Sequence, residues 1–248
     1  MRHRKFRLDR FISLKTGIPK SDIRLLLAQK RILLDGKIAS EIHAPVDYFS
    51  EVCLDGNILQ AHQPYYLMLN KPPGVLSATQ DNQHSTVIDL LLSAGLDTRI
   101  AEQLHIVGRL DLNSSGLLLL SNDSQWSKRL MAPQQKIDKV YEVVLQNPVT
   151  EECIQAFSEG IYFPYENSTT LPARLVRLAD RQARVTLQEG KYHQIKRMFG
   201  RFQNTVLSLH RTSIGAIHLD PQLAPGQYRL LTEAERLNAG DHGTSSHF

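Results

Sequence analysis

Residues 108–123 read GRLDLNSSGLLLLSND and set one carboxylate, Asp111, in a polar loop directly before four leucines. Gly108, Asn113, Ser114, Ser115 and Gly116 favour a loop there. Arg109 lies two positions before Asp111, and in extended chain residues two apart point the same way. A guanidinium and a carboxylate can therefore share one cleft; the plainer alternative is that Asp111 caps a turn. Two more stretches place polar groups beside apolar ones. KVYEVVL, residues 139–145, puts Lys139, Tyr141 and Val143 on one strand face, where an aromatic is ordinarily core. In GKYHQIKRMFGRF, residues 190–202, Ile195, Met198, Phe199 and Phe202 make an apolar helical stripe. His193, Lys196 and Arg197 follow on a neighbouring stripe, which by itself is ordinarily a solvated face.

Other chemistries find no footing. The chain has no Walker loop, no G-x-G-x-x-G and no H-E-x-x-H. It has no G-x-S-x-G elbow. His193 and His210 lack partners at metal-ligand spacing, so no metal site is expected. A glycosidase would need a second carboxylate in a comparable setting, and none stands there.

The elements that must position these residues begin with a basic block. Residues 1–40 hold 11 Lys/Arg against 3 Asp/Glu, while the other 208 residues are net acidic. Such a footprint suits a polyanion. Leu8, Phe11 and Ile12 mark a helix face, which Gly17 and Pro19 end. Ser21 is expected to cap a second helix carrying Ile23, Leu26 and Leu27. Asp35-Gly36 between two apolar stretches predicts a tight hairpin. A linker is expected near 55–64, which gives a first domain over 1–60, a connection over 61–64 and a second domain over 65–238. Residues 239–248 are expected to be a disordered tail.

Beyond the linker, strands are predicted at YYLMLN, at LLLLS (117–121), at 139–145, in a hairpin near 173–187 and in two strands near 205–219. Helices are predicted after Asp123, at EECIQAFSEG, at YHQIKRMFGRF and behind a Thr232/Glu235 capping box. Strands outnumber helices and short turns join several of them, so the class is α+β with a mostly antiparallel, mixed sheet flanked by helices. Two cysteines a hundred positions apart, Cys53 and Cys153, read as buried thiols in a reducing cytoplasm. No apolar run is long enough to span a bilayer, and the basic start lacks a secretory h-region.

Residues 7–39 resemble the S4 domain, a small RNA-binding module. That resemblance implies phosphate contacts from Arg7, Arg10, Lys20, Arg24, Lys30 and Arg31, which position without reading sequence. The second domain resembles the RNA pseudouridine synthases. GRLDLNSSGLLLLSND is similar to their G-R-L-D-x-x-[ST]-x-G-L signature, KVYEVVL to their K-x-Y strand, GKYHQIKRMF to their later basic motif and LNKPPGVLSAT (69–79) to their N-K-P-x-G segment. The order matches, and the likeness covers about residues 6–236. GKYHQIKRMF, LHRTSIGAIHLD and LAPGQYRLLTEAE resemble most the branch acting on small-subunit 16S ribosomal RNA. Ser114-Ser115 departs from the Thr-Glu that many members carry.

The resemblance implies isomerisation of a uridine to pseudouridine, with no cofactor and no metal. Asp111 is then the nucleophile at C1′ or the base at C2′, ionised in a largely dry pocket. Lys196 pairs with it, and Tyr141 stacks on the uracil. Arg109 takes the space or phosphate vacated by the flipped nucleotide, and His193 and Arg197 contact RNA. The expected partner is ribosomal RNA or an assembling small subunit, the expected form a cytoplasmic monomer. Action on 23S ribosomal RNA or tRNA, or a role as an assembly factor on this fold, stays open at this point.

Overall fold

A computed structural model of the chain describes residues 6–46, 50–61 and 63–240. The chain divides into two compact units, Met1–Pro64 and Tyr65–Phe248.

The first unit runs β1 (Phe6–Arg7), α1 (Leu8–Thr16), α2 (Lys20–Ala28), β2 (Ile32–Leu34), β3 (Lys37–Ile38), β4 (Pro45–Val46), β5 (Val52–Leu54) and β6 (Asn57–Gln60). Leu8, Ile12, Ile23, Ile32 and Val52 share its buried core. The helix α1 stops at Gly17, whose φ of +76° lets its N–H reach the Ser13 carbonyl. Ser21 does not cap α2. That helix begins at Lys20 behind Pro19, and the Ser21 hydroxyl donates to Asp22 instead. The proline fixes the entry backbone two residues earlier than the serine could. Asp35-Gly36 makes the predicted hairpin, both residues at positive φ. Part of the expected linker is strand, because Asp55-Gly56 turns the chain so that β6 pairs with β5 and completes a sheet of order β3-β2-β5-β6.

The second unit runs β7 (Tyr66–Lys71), α3 (Val87–Ser93), α4 (Thr98–Ala101), β8 (His105–Val107), β9 (Ser115–Ser121), α5 (Ser124–Met131), β10 (Lys139–Leu145), α6 (Glu151–Glu159), β11 (Tyr162–Phe163), β12 (Ser168–Thr169), β13 (Arg174–Ala179), β14 (Gln182–Leu187), α7 (Gln194–Gly200), β15 (Val206–Ile214), β16 (Ile217–His218), β17 (Tyr228–Leu230) and α8 (Glu233–Leu237). The main sheet has the order β13-β14-β10-β15-β9-β7-β17, with β16 on β15 and β8 on β9. Among the described strands only β9 and β15 pair in parallel, so the mixed, mostly antiparallel sheet is as expected.

The leucine run is explained by burial on both faces. Leu118 and Leu120 join a core with Phe157 and Phe199, while Leu117 and Leu119 pack with Trp126 and Leu130 of α5. Each fully buried leucine contributes roughly 1.5–3 kcal/mol before entropy is counted. The helices α3 and α4 and the strand β8 carry no sequence prediction; they are too short for a period to show. Ordered chain continues past 238, since Asn238–Gly240 is a 3-10 turn with Ala239 buried; the rest of the expected tail lies outside the described residues. Among the described residues no helix is long and apolar enough to cross a membrane.

Candidate active site

Asp111 sits on the loop between β8 and β9. One edge of β9 is taken by β7; on the other, β8 covers residues 119–121 and β15 takes over at Ser115 and Gly116. The loop leaves the sheet where these two partners change. Leu117 falls in the gap, and its carbonyl is met by the Nε of Arg211 at 2.8 Å. Arg211 is fully buried, and its Nη2 donates to Gly108 O at 2.8 Å and its Nη1 to Arg109 O at 3.4 Å. Gly116 allows this approach: it has φ +101°, and a Cβ there would lie 2.3 Å from the Arg211 carbonyl oxygen.

Two more groups hold the loop from below. Lys71, at the end of β7 and fully buried, donates to Pro72 O, Leu112 O and Ser114 O at 2.9, 3.1 and 2.8 Å. The Ser77 hydroxyl donates to Leu110 O at 2.7 Å and accepts the Leu110 N–H. Asp111 O accepts the Ser114 N–H at 3.0 Å. The carbonyls of residues 108–112 and 114 are therefore all bonded, and the loop is fixed backbone rather than a free connection. Burial pushes the Lys71 ammonium down to about 8; the negative charge of Asp111 opposes that shift and Arg211 adds to it.

The Asp111 side chain projects into an open cleft of about 530 Å³ and is 29% exposed. The expected dry pocket is thus open on one side in the free protein. Lys196, from α7, places its Nζ 3.6 Å from Asp111 Oδ2, and His193 places its Nε2 3.6 Å from Oδ1. The carboxylate faces these two groups and caps no turn. Arg109, Leu110, Tyr141 and Leu209 line the same cleft, with Arg109 exposed and Tyr141 buried in the wall. The Arg211 guanidinium lies 6.0 Å from the centroid of the Tyr141 ring. Ser114, also in the wall, has a buried hydroxyl without a protein partner.

The stripe His193, Lys196, Arg197 does not hold as a unit. His193 has φ +48° and precedes α7, which begins only at Gln194. It and Lys196 turn to Asp111. Arg197 turns the other way, pairing with Glu166 through bonds of 2.6 and 2.8 Å and lying 3.8 Å from the Phe163 ring centroid. Its guanidinium is thus engaged within the protein and does not face Asp111. In the first unit all six predicted cations are exposed. Arg7 and Arg31 are held by Asp9 and Asp55, whereas Arg10, Lys20, Arg24 and Lys30 have no carboxylate partner among the described residues. Sequence reasoning missed Lys71 and Arg211. Each stands inside a motif, NKPPG and LHRTSIG, beside other polar residues, so residue type alone did not single it out.

Residues 65–200 match the RNA pseudouridylate synthase family. The ribosomal small subunit pseudouridine synthase A of Pseudomonas aeruginosa is 46% identical over 230 residues, 92% of this chain and 98% of that one. The protein of the same name from Escherichia coli K12 is 40% identical over 230 residues, 92% and 97% of the two chains. A crystal structure of a pseudouridylate synthase matches at 35% identity with a TM-score of 0.69, covering 94% of this chain and 99% of the other. With motifs, fold and relatives in agreement over nearly its whole length, the chain belongs to the RNA pseudouridylate synthase family.

Proposed function

We propose that the protein converts a uridine of small-subunit ribosomal RNA to pseudouridine, with Asp111 as the reacting carboxylate. The observation that carries this reading is Asp111 standing 3.6 Å from both Lys196 Nζ and His193 Nε2, in a cleft walled by Tyr141. The relatives named for the small ribosomal subunit support the choice of RNA.

In the reaction the N1–C1′ bond breaks, the uracil turns over, C5 bonds to C1′, the C5 proton leaves and N1 gains one. Nothing is oxidised and nothing is added. The Asp111 carboxylate attacks C1′ or removes the C2′ proton; the same geometry serves both. Lys196 is its counter-charge, a point charge and not a fork. The buried Tyr141 ring gives the uracil a surface to lie on. A uridine within folded RNA reaches this cleft only by flipping out, at a cost of a few kcal/mol. Exposed Arg109 and the unpaired cations of the S4-like first unit offset that cost through phosphate contacts. The flipped nucleotide itself closes the open side of the cleft over Asp111.

Cys53 and Cys153 are free and buried, which fits a reducing cytoplasm, and we take the working unit as a monomer, to be checked by light scattering. The deciding experiment is tritium release from 16S ribosomal RNA labelled at uracil C5, as free RNA and as a partly assembled small subunit. Release by the wild type and none by Asp111→Asn is expected. No release from either form, with release from 23S ribosomal RNA or tRNA, moves the substrate. Silence on all of them overturns the reading in favour of an assembly factor.

A further inference from the structure

We propose that Tyr192 and His193 form a stacking platform for the nucleobase next to the target uridine. This inference rests on the RNA-modifying reading of the same cleft.

The two rings are stacked, with centroids 3.9 Å apart and planes 18° from parallel. Both residues line the Asp111 cleft. His193 is the inner member, its Nε2 facing the Asp111 carboxylate. Tyr192 is the outer member and is 74% exposed. One face of its ring is covered by His193, so that exposure leaves the other face open. A lone exposed tyrosine needs no explanation. A tyrosine stacked on a histidine at the mouth of the reacting cleft is different, because it presents a flat π-surface to whatever strand enters.

The backbone beneath the platform is fixed before RNA arrives. Lys191 N–H donates to Gln194 Oε1 at 2.9 Å, and the Gln194 N–H returns a bond to Lys191 O at 3.2 Å. Arg197 Nη1 donates to Tyr192 O at 3.3 Å. Lys191 Nζ is tied to the Ser168 hydroxyl at 2.8 Å. The positive φ of His193, which histidine tolerates better than most residues, turns the pair out of the helix and toward the cleft. A fixed platform adds little ordering cost to binding.

The occupant follows from the geometry. The C1′ of the target must meet Asp111, with its uracil alongside Tyr141 in the wall. The ring pair extends outward from Asp111 through His193 to Tyr192. A base on the open face of Tyr192 is therefore a neighbour of the target along the strand. Recognition by stacking tolerates any base, so this subsite contributes affinity and register more than sequence choice.

The test uses the full chain and tritium release at varied RNA concentration. Tyr192→Ala is expected to lower kcat/KM by roughly 5- to 150-fold, the range of one base–aromatic stack, mainly through KM. Tyr192→Leu, with bulk but no π-face, should lose nearly as much, and Tyr192→Phe should recover most of it. Thermal unfolding of each variant confirms the fold. Once the modified position is mapped, single abasic residues are placed on either side of it by ligation. One of them should cost the wild type but add nothing to Tyr192→Ala, which is the coupling that a structural role would not produce. Wild-type turnover with KM unchanged in both Tyr192→Ala and Tyr192→Leu overturns the platform and leaves the enzyme reading intact. So does a loss that is equal on every abasic RNA. No tritium release by the wild type on any RNA overturns both.

Discussion

The ammonium of Lys71 donates to the carbonyl oxygen of Ser114 at 2.8 Å, from the end of β7 to the last residue before β9 and beneath the loop that carries Asp111. The bond sets the height of the carboxylate in the cleft. Replacing it has two opposed consequences. Lys71→Met takes its donor from the Pro72, Leu112 and Ser114 carbonyls; Leu112 O keeps the Gly74 N–H, and each of the other two left unbonded costs about 1–3 kcal/mol. It also removes a buried charge, which is a gain. The two partly cancel, so urea unfolding should show a net loss of no more than about 3 kcal/mol. Turnover should fall by about 10- to 100-fold, because a loosened loop misplaces the reacting group. Full activity in this variant would show that the loop holds itself.

The pH dependence of stability tests the same lysine. Its folded value is about 8 and its ordinary value 10.5. Between these the unfolded chain holds a proton that the folded chain has released, so stability rises with pH. Wild type should gain on Lys71→Met across that window and run parallel to it below. Paired urea titrations measure this, and a relative decline of the wild type would contradict it.

Asp111→Asn keeps the shape of the loop and removes the reacting anion. RNA affinity by filter binding should stay within about threefold, while tritium release falls by at least about a thousandfold. Lys196→Met should lower single-turnover rates by about a hundredfold, the usual loss on deleting one fixed charge at a reacting centre. Retained turnover in Asp111→Asn would remove that residue from the chemistry.

Arg109 and Arg197 should part company. Arg109 is exposed at the cleft, so Arg109→Ala should weaken RNA binding and reduce the salt slope by about 1. Arg197 is engaged by Glu166 and Phe163, so Arg197→Ala should leave the salt slope unchanged and cost stability by about 1 kcal/mol. Equal salt slopes for the two variants would contradict the assignment.

Gly116→Ala places a methyl 2.3 Å from the Arg211 carbonyl oxygen, at a φ of +101°. Both effects act on backbone that cannot yield without breaking the β9–β15 pairing. The expected loss is on the order of 3 kcal/mol or more. Chemical unfolding checks it; a loss under about 1 kcal/mol would mean that the two strands slide freely.

Much of the fold was legible because it repeats within single elements. The alternation in KVYEVVL foretold that Lys139, Tyr141 and Val143 turn inward together, and all three are buried. The stripe Ile195, Met198, Phe199 foretold the buried face of α7. Turn chemistry located the Asp35-Gly36 hairpin, and the Thr232/Glu235 box caps α8 as expected. The helices α3 and α4 and the strand β8, of seven, four and three residues, escaped. The neighbouring stripe on α7 was misread because its first member lies outside the helix; left-handed backbone at His193 breaks the spacing on which the reading relied.

The site divides along the same line. From the sequence alone came the longer strands, the two modules, Asp111 as the residue to watch and the family whose motifs surround it. Those depend on residue type and on spacing of a few positions, which one chain displays openly. Only the tertiary structure decided that Lys71 and Arg211 brace the Asp111 loop across 43 and 103 positions, that Lys196 faces Asp111 while Arg197 turns away, and that Tyr192 lies on His193 at the mouth of the cleft. These relationships depend on strand order and on where one edge of β9 passes from β8 to β15. No local pattern encodes them, because they arise only when distant segments compete for the same unpaired backbone groups.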